Sequence, residues 1–349
     1  MKKIRMAVVG LRTFGRKSHV VGVVGNPNAE LIAVCDTVED IAKQVSEEYN
    51  VPYYLDYKEL IKREDLDAIT IATPDQVHRE IAVAAMAAGK DVLCEKPMAL
   101  SVEDCKLMVE ASKKYGRKLM IGQICRKAPS FILAKELIDR GDIGEIFFIE
   151  SEYAHDYSKK KSTDTWRFNP ASPRHAVTGG ACHAMDLMRW IAGDPTEVFA
   201  YSNKKMLDFS PTDDCTVAVM KFPNDVIGKL FTAVGCKRRY TMRTVIYGSK
   251  GTIIVDNTSA DLSLFKSEVE GSEQFTPTIE HQSVEIKIPV RAIKHNIHAE
   301  IGEFVQCILN DTAPETDGVE GGKTVAACCA IVESTQTGEK VKPDYSFAD

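Results

Sequence analysis

The chain has 349 residues, of which 44% are hydrophobic and 27% charged, as in an ordinary globular protein. Its 44 basic and 50 acidic residues are spread along the sequence, so we expect neither a nucleic-acid nor a membrane partner. No apolar run approaches the roughly 18 residues of a membrane span, and the start of the chain is more typical of a first strand than of a signal peptide. The ten cysteines form no C-x-x-C motif, which favours reduced thiols, a cytoplasmic location and no metal site.

A chain of this length is expected to form two domains, and its pattern changes near residue 124. Before that point, short apolar runs alternate with amphipathic stretches, which predicts a doubly wound parallel sheet in an α/β fold. The predicted strands of this first domain, residues 1–124, are 4–9, 31–35, 68–72, 92–94 and 118–122, and its predicted helices are 15–24, 38–49, 77–88 and 102–115.

The second domain, residues 125–349, contains longer and alternating β-branched runs. They lie at residues 143–157, 198–202, 216–222, 226–234, 241–247 and 252–255. This alternation predicts an α+β domain with a large, open and mostly antiparallel sheet that has one solvated face. Helices are predicted at 182–192, 297–309 and 319–335, and the last two are candidates for packing back on the first domain.

A glycine loop follows the first predicted strand and opens the first predicted helix. It is a G-x-G-x-x-G fingerprint with Gly10 and Gly15 at its ends and Arg12 in place of the second glycine. Such a loop places a pyrophosphate on the helix N-terminus, where unpaired N–H groups and the helix dipole favour an anion. The Arg12 guanidinium could block the diphosphate or neutralise it, and we favour neutralisation.

Asp36 ends the second predicted strand, 21 residues after Gly15. A carboxylate near this spacing binds the adenosine ribose hydroxyls of a dinucleotide and repels a 2′-phosphate, which predicts NAD in preference to NADP. The incomplete glycine motif alone is also typical of an ordinary strand–helix turn. Its position and Asp36 favour the cofactor loop.

Glu95-Lys96-Pro97 follows the apolar strand at residues 91–94. A lysine at the carboxyl end of a parallel strand lies where ligands bind in open α/β sheets. The glutamate before it is a ready partner, and the proline after it stops the strand. The motif therefore predicts a chemical role for Lys96.

Three motifs together resemble the Gfo/Idh/MocA family, the sugar and inositol oxidoreductases named after glucose–fructose oxidoreductase and inositol dehydrogenase. They are T-P-x-x-x-H at residues 73–78, E-K-P at 95–97 and H-x-x-D-L-x-R-W at 183–190, with further similarity at Trp166-Arg167 and at 312–321. The resemblance runs through nearly the whole chain. It implies a Rossmann domain followed by an α+β domain whose open sheet packs in a homodimer or homotetramer.

The same resemblance implies a set of site residues. Lys96 and His183 would act at the reacting carbon. NAD would be held by Gly10, Arg12, Thr13, Phe14, Gly15, Asp36, Thr73, Pro74, His78, Glu95 and Gln123, and the substrate by Arg126, Tyr153, His155, Asp156, Trp166, Arg167 and His175. Many members carry an aspartate four residues before the histidine, where this chain has Gly179. Residues 150–157 are the expected source of a replacement carboxylate, and Asp186 is expected to be structural.

The chemistry is consistent with those roles, because oxidation of a secondary alcohol needs a base for the hydroxyl proton. A lysine beside the cationic nicotinamide has its charged form disfavoured, and a histidine titrates near working pH. We expect an NAD-dependent oxidoreductase acting on a ring secondary alcohol of a sugar, glycoside or polyol, with residues 153–157 most similar to subgroups that oxidise glucosides at C3. Two alternatives stay open: a non-catalytic NAD-binding sensor or regulatory protein, and an NAD-dependent redox glycosidase. His183 could also be an ordinary core histidine.

Overall fold

The computed structural model describes residues 3–267, 283–290 and 296–348, and two sheets organise them. The strands of the first sheet are β1 (Ile4–Val9), β2 (Ala29–Cys35), β3 (Tyr53–Tyr54), β4 (Ala68–Ile71), β5 (Asp91–Cys94) and β6 (Leu119–Ile121). They are all parallel and lie in the order β3-β2-β1-β4-β5-β6. The order reverses beside β1, so the carboxyl ends of β1 and β4 flank the crevice where ligands bind in such sheets.

Helices cover both faces of this sheet. They are a π-helical turn, Gly15–Val20, that continues as α1 (Val21–Val24), then α2 (Glu39–Tyr49), α3 (Tyr57–Leu60), α4 (His78–Ala87) and α5 (Val102–Tyr115). Local sequence sets the ends of α5, because the Ser101 hydroxyl accepts the Asp104 N–H and Gly116 ends the helix with a φ of 59°. The predicted doubly wound parallel sheet is confirmed.

The second sheet has eight strands in the order β14-β13-β12-β11-β7-β10-β9-β8. They are β7 (Ile146–Ala154), β8 (Glu197–Asn203), β9 (Cys215–Lys221), β10 (Ile227–Ala233), β11 (Thr241–Gly248), β12 (Gly251–Asp256), β13 (Asp261–Ser267) and β14 (Ser283–Pro289). Among the described strands of this second sheet, only the β7–β10 pair is parallel, so the predicted mostly antiparallel sheet is confirmed.

The helices of the second half are α6 (Pro129–Asp139), α7 (Lys160–Thr163), α8 (Ala176–Gly179), α9 (Cys182–Ala192), α10 (Ile297–Asn310) and α11 (Gly318–Thr337). Helices α6, α9 and α11 pack on one face of the second sheet. The opposite face leaves Tyr201, Val217 and Val219 exposed on β8 and β9. In the part of the chain that is described, no helix combines the length and apolarity needed to cross a bilayer.

The two end helices also contact the first domain. Helix α10 packs on β1 and α1, and α11 packs on α5 and β6. Two glycines allow the second contact, because a Cβ on Gly318 would lie 2.8 Å from the Leu119 side chain and one on Gly321 would lie 2.4 Å from that of Ile121. The far side of α11 packs on β8 and α9, so this helix joins the two sheets.

Candidate functional site

The glycine loop closes tightly over the end of β1. Gly10 has a φ of +91°, and a Cβ there would lie 2.6 Å from the Ala72 carbonyl oxygen. A Cβ on Gly15 would lie 1.8 Å from the carbonyl oxygen of Gly10. Both positions therefore require glycine for the approach of helix to strand that the fingerprint predicts. Arg12 and Thr13 are exposed at the tip of the loop, and Phe14 is half-buried.

The Asp36 carboxylate supports this loop from β2. It is buried and accepts the Leu11 N–H at 2.8 Å and the Val38 N–H at 2.9 Å. The negative charge is therefore held next to the glycine loop, at the position that the sequence predicts for ribose recognition.

Two predicted cofactor residues have buried polar side-chain atoms without a hydrogen-bond partner in the described structure. Thr73 Oγ1, after β4, and Gln123 Oε1, after β6, are buried and have no hydrogen-bond partner within the described structure. Buried polar groups without a partner are costly, so such atoms at a ligand-binding edge fit a polar ligand such as a nicotinamide dinucleotide. With the glycine loop and Asp36, the residues present fit that cofactor.

His78 connects the two loops that follow β4 and β5. Its Nδ1 lies 2.9 Å from the Pro97 carbonyl oxygen and its Nε2 lies 3.1 Å from that of Thr73. The imidazole is fully buried, so it holds both loops together beneath the predicted cofactor position. Pro97 itself follows a cis peptide bond, and Pro74 precedes a short 3₁₀ turn.

Glu95 lies in a buried polar cluster. Its Oε1 is 2.9 Å from His19 Nε2, and its Oε2 accepts the Lys96 N–H at 3.1 Å. Burial favours the neutral acid, but the hydrogen bond and charge of His19, together with Lys96, lower the pKa of Glu95.

Glu300 of α10 faces the same cluster with both carboxyl oxygens lacking a described partner. Burial and the neighbouring Glu95 raise the pKa of Glu300 well above its usual range, so it is a neutral acid. One ligand atom from each of His19, Glu95 and Glu300 lies within 4.8 Å of the others. The raised pKa of Glu300 is consistent with the close approach of the two carboxyl groups.

His183 contacts the buried thiol of Cys125. The Cys125 Sγ lies 3.4 Å from His183 Nδ1 in a fully buried contact. Burial and then the Asp186 carboxylate raise the pKa of the Cys125 thiol well above its usual range, and Lys96 opposes them. Lys96 is half-buried after β5, and His183 is buried near the start of α9.

Gly179 has no room for a side chain. A Cβ there would lie 2.0 Å from the guanidinium of Arg174, which donates to the Gly179 carbonyl oxygen at 2.6 Å. Arg174 also forms a buried ion pair with Asp75, which directly follows the Thr73-Pro74 dipeptide. The Arg174 guanidinium thus occupies the space that a side chain at Gly179 would need. Its ion pair with Asp75 connects the second domain to the loop after β4.

The expected replacement carboxylate does not come from Glu150 or Glu152. These side chains alternate with the buried Ser151 and Tyr153, and they pair with Lys229 and with Arg238 and Arg243 on the other face of the sheet. The expectation was wrong for these two residues because a strand sends successive side chains to opposite faces.

Beyond β7, an aromatic cluster lines the second-domain side. Tyr153 Oη lies 3.2 Å from His155 Nδ1 and 3.0 Å from Tyr157 Oη. Burial, followed by the charges of Lys160 and Arg167, lowers the pKa of His155 to about 4, so its imidazole is neutral. Asp156 accepts the Ser158 N–H and lies 3.5 Å from Lys237.

A loop containing Trp166 reaches the cofactor side. The guanidinium groups of Arg167 and Arg174 lie 4.4 and 5.4 Å from the indole centroid. The Gln76 amide donates to the Trp166 carbonyl oxygen at 3.3 Å, which connects this loop to the segment after β4. His175 is half-buried at the start of α8, and burial lowers its pKa.

Arg126 lies apart from the residues predicted with it. Its guanidinium binds both oxygens of Asp186 at 2.8 and 2.7 Å and Glu320 at 3.2 Å. Since these carboxylates and the Trp190 ring occupy it, Arg126 fixes α9 against α11. Asp186 has the matching structural role, because its carboxylate accepts both of these hydrogen bonds from Arg126.

Comparison with known proteins places this geometry in a family. The family model described as "Oxidoreductase family, NAD-binding Rossmann fold" matches residues 4–123, and the "GFO/IDH/MocA C-terminal domain" matches residues 131–254. The chain belongs to the Gfo/Idh/MocA family. It is an oxidoreductase with an NAD-binding Rossmann fold, and the resemblance seen in the sequence is confirmed.

The chain is similar to named relatives and to a solved structure. Inositol 2-dehydrogenase of Salmonella typhimurium is 27% identical over 253 residues, which cover 71% of this chain and 72% of the relative. The 1,5-anhydro-D-fructose reductase of Ensifer adhaerens is 24% identical over 96% of this chain and 97% of its own. The structure of a levoglucosan dehydrogenase in complex with NADH superposes with a TM-score of 0.87 at 21% identity, over 98% of this chain and 100% of that chain.

Sequence reasoning missed several residues that the Gfo/Idh/MocA fold brings to this site: His19, Asp75, Cys125, Arg174 and Glu300. Asp75 and Arg174 had a weak signal, because each adjoins a predicted site residue. The other three are separated from their partners by at least 58 residues. No spacing within one segment could reveal those pairings.

Proposed function

We propose that this Gfo/Idh/MocA protein oxidises a ring secondary alcohol of a sugar, glycoside or polyol with NAD⁺. The observation that carries the proposal is the pair of buried, unpartnered polar atoms of Thr73 and Gln123 at the end of the first sheet that also carries Lys96 and the glycine loop, and the contact of His183 with Cys125 supports it. The relatives named inositol 2-dehydrogenase and levoglucosan dehydrogenase support the substrate class. Oxidation at C3 of a glucoside is the finer form of the proposal, and the aromatic and polar cluster after β7 supports it.

The residues divide the work as follows. The bound nicotinamide supplies the hydride acceptor. The Lys96 amine takes the hydroxyl proton, and the His183 imidazole holds the same oxygen in place from the other side of the cleft. Trp166, Arg167, His155 and Asp156 offer the aromatic face and hydrogen-bonding groups that a polyol needs. His175 lies at the start of α8 beside them.

NAD is preferred over NADP in this proposal because of Asp36. Its carboxylate is pinned by two backbone N–H groups, so it cannot easily move away from an added 2′-phosphate. We expect a higher kcat/KM with NAD⁺, and Asp36→Ser should reduce the preference by at least about tenfold. An equal kcat/KM for both cofactors in the wild type would contradict this reading of Asp36.

The test is a spectrophotometric screen of the purified chain. NADH formation is measured with NAD⁺ and myo-inositol, levoglucosan, free aldoses and alkyl glucosides. Lys96→Ala and His183→Ala are each expected to lower kcat about 10²–10⁴-fold while NAD⁺ binding, followed by fluorescence, is retained. Arg126→Lys is a matched control for general damage at the domain junction, since Arg126 binds only structural carboxylates in this assignment.

Other outcomes identify the alternatives. NAD⁺ binding without turnover of any alcohol would reject the dehydrogenase and favour a sensor. Release of an aglycone without net NADH would favour a redox glycosidase. Full activity in Lys96→Ala would reject the assignment of the base.

We also propose a homodimer or homotetramer that uses the open face of the second sheet. Tyr201 is 73% exposed, Val219 52% and Ile227 51%, on three adjacent strands. An apolar sheet face of this kind is typical of an interface. Sedimentation should give an oligomer for the wild type and a monomer for Val219→Lys; a monomeric wild type would reject the proposal.

A further inference from the structure

The guanidinium of Arg174 bridges the two domains and uses only part of its hydrogen-bonding capacity to do so. Its Nε binds the Asp75 carboxylate of the first domain, and its Nη2 donates to the carbonyl oxygen of Gly179 in the second domain at 2.6 Å. Neither bond uses Nη1, which lies 2.0 Å from the position of a Cβ on Gly179. The Arg174 side chain is 3% exposed, so its charge is held in the cleft between the domains.

Side chains that are proposed to hold the substrate adjoin this guanidinium. It lies 5.4 Å from the centroid of the Trp166 indole. Gly180 faces the Tyr153 ring, because a Cβ there would lie 2.6 Å from that ring, and Tyr153 Oη is 3.2 Å from His155 Nδ1. A substrate that contacts both the indole and this aromatic cluster would therefore lie next to Arg174.

The loop beside Arg174 carries an excess positive charge. Lys160 and Arg167 share one carboxylate, that of Asp164, at 3.2 and 3.3 Å. The Arg167 guanidinium lies 4.4 Å from the same indole centroid that Arg174 approaches. The charge of Arg174 is balanced by Asp75, so the excess belongs to the loop and lies on the other guanidinium that contacts this ring.

A carboxylate on the substrate would satisfy both features. A guanidinium can only donate hydrogen bonds, so a substrate atom that binds Nη1 must be an acceptor. A neutral sugar would leave the charge of the loop uncompensated, and Asp156 does not offset it because Lys237 lies 3.5 Å from its carboxylate. A carboxylate supplies both the acceptor and the charge, and its planar shape suits a guanidinium. A phosphate monoester also accepts, but at neutral pH it carries more negative charge than one shared cation offsets.

We propose that the substrate is a uronic acid or its glycoside, a uronoside, and that Arg174 binds its carboxylate. This inference rests on the proposed function and names the substrate class within it. Nη1 of Arg174 donates to a carboxylate oxygen, and Arg167 supplies the balancing charge from the neighbouring loop. Arg174 is therefore a specificity-determining residue: the carboxylate is unchanged by the reaction, and the group that is oxidised is still a ring secondary alcohol.

The first experiment compares matched substrates of the wild-type chain. NADH formation is measured with methyl glucoside and methyl glucuronoside, and with the corresponding galactose pair, in which a carboxylate replaces the hydroxymethyl group. We expect kcat/KM to be about 10–100-fold higher for a uronoside than for its neutral partner, as for a hydrogen bond to a charged group. An equal or lower kcat/KM for both uronosides overturns the inference. A higher kcat/KM for glucose 6-phosphate than for either uronoside also overturns it.

The second experiment isolates the guanidinium. Asp75→Asn and Asp75→Asn/Arg174→Gln both lack the ion pair, but only the first keeps the guanidinium. Asp75→Asn is expected to lower kcat/KM for both members of a pair and to keep the preference for the uronoside, whereas the double variant should reduce that preference to about twofold or less. Equal preferences in the two variants overturn the role of Arg174. The wild-type comparison needs neither variant, so it decides the inference if they do not fold.

Failure of the proposed function gives a different result. Turnover of myo-inositol, levoglucosan or a neutral glycoside without turnover of any uronoside overturns this inference alone. A wild type that oxidises no alcohol rejects the proposed function, and this inference with it.

Discussion

Replacing Asp75 with asparagine should show how much the site depends on the ion pair that crosses the cleft. The Asp75 and Arg174 side chains are 5% and 3% exposed, so each charge depends on the other. Removing one partner of such a pair costs about 3–5 kcal/mol because it strands the remaining charge. Asparagine keeps the shape, so we expect a loss of about 3 kcal/mol in the free energy of unfolding. We also expect kcat to fall about 10–100-fold, since Arg174 fixes the turn before His183.

The assay is urea unfolding combined with steady-state kinetics. Glu59→Gln is the matched control, because it breaks an exposed ion pair in which the Glu59 and Lys62 side chains lie 2.6 Å apart and are 60% and 67% exposed. This change should alter the free energy of unfolding by less than about 1 kcal/mol. The double variant Asp75→Asn/Arg174→Gln removes both charges and should recover part of the stability. If Asp75→Asn behaves like Glu59→Gln in both assays, the ion pair does not hold the site together.

Three further predictions concern single positions. Gly179→Asp should lower activity, because its Cβ would meet the Arg174 guanidinium. Arg174→Ala in the same chain should partly restore the activity. The measurement is kcat/KM, and a gain in the single variant would contradict the prediction. Cys125→Ala should lower kcat about fivefold because His183 is then less well oriented, whereas Cys125→Ser should keep most of the wild-type kcat. Equal kcat values in the two variants would show that the contact has no functional role. Glu300→Gln should stabilise the fold by about 4 kcal/mol at pH 7 but not near pH 4, as measured by urea unfolding. The unfolded acid ionises above about pH 4.3 while the raised pKa keeps the folded one protonated, so wild-type stability is lost as pH rises at about 1.4 kcal/mol per unit. A gain in stability that is independent of pH would contradict the assignment.

Much of the fold could be predicted because its signals are local. Residues 102–115 and 182–192 were predicted as helices with the observed bounds of α5 and α9, since amphipathic spacing and a cap lie within each segment. The strand predicted at 143–157 is shorter in the structure, Ile146–Ala154, because its end leaves the sheet for the cleft. Strands β3, β13 and β14 and helices α3, α6, α7 and α8 were not predicted.

The same distinction between local signals and long-range contacts applies to the candidate site. A role for Lys96 could be predicted because it follows a strand, and all strands of the first sheet end at one edge. Thr73 and Gln123 were implied only by the family resemblance. The role of Arg174 could not, since it depends on a glycine five residues away and on Asp75 in the other domain. The sequence shows Gly179 as a missing carboxylate, whereas only the packing shows that a guanidinium fills the space.

Helix α11 has a consequence for handling this protein in the laboratory. A truncation after residue 124 would strip α11 from α5 and β6 and expose the apolar side chains of Leu119 and Ile121 that Gly318 and Gly321 now cover. We expect such a fragment to aggregate, although it contains every strand of the first sheet. The boundary along the sequence is therefore not a boundary for folding, and a stable cofactor-binding fragment would need to carry residues 318–337 as well, supplied in trans or fused.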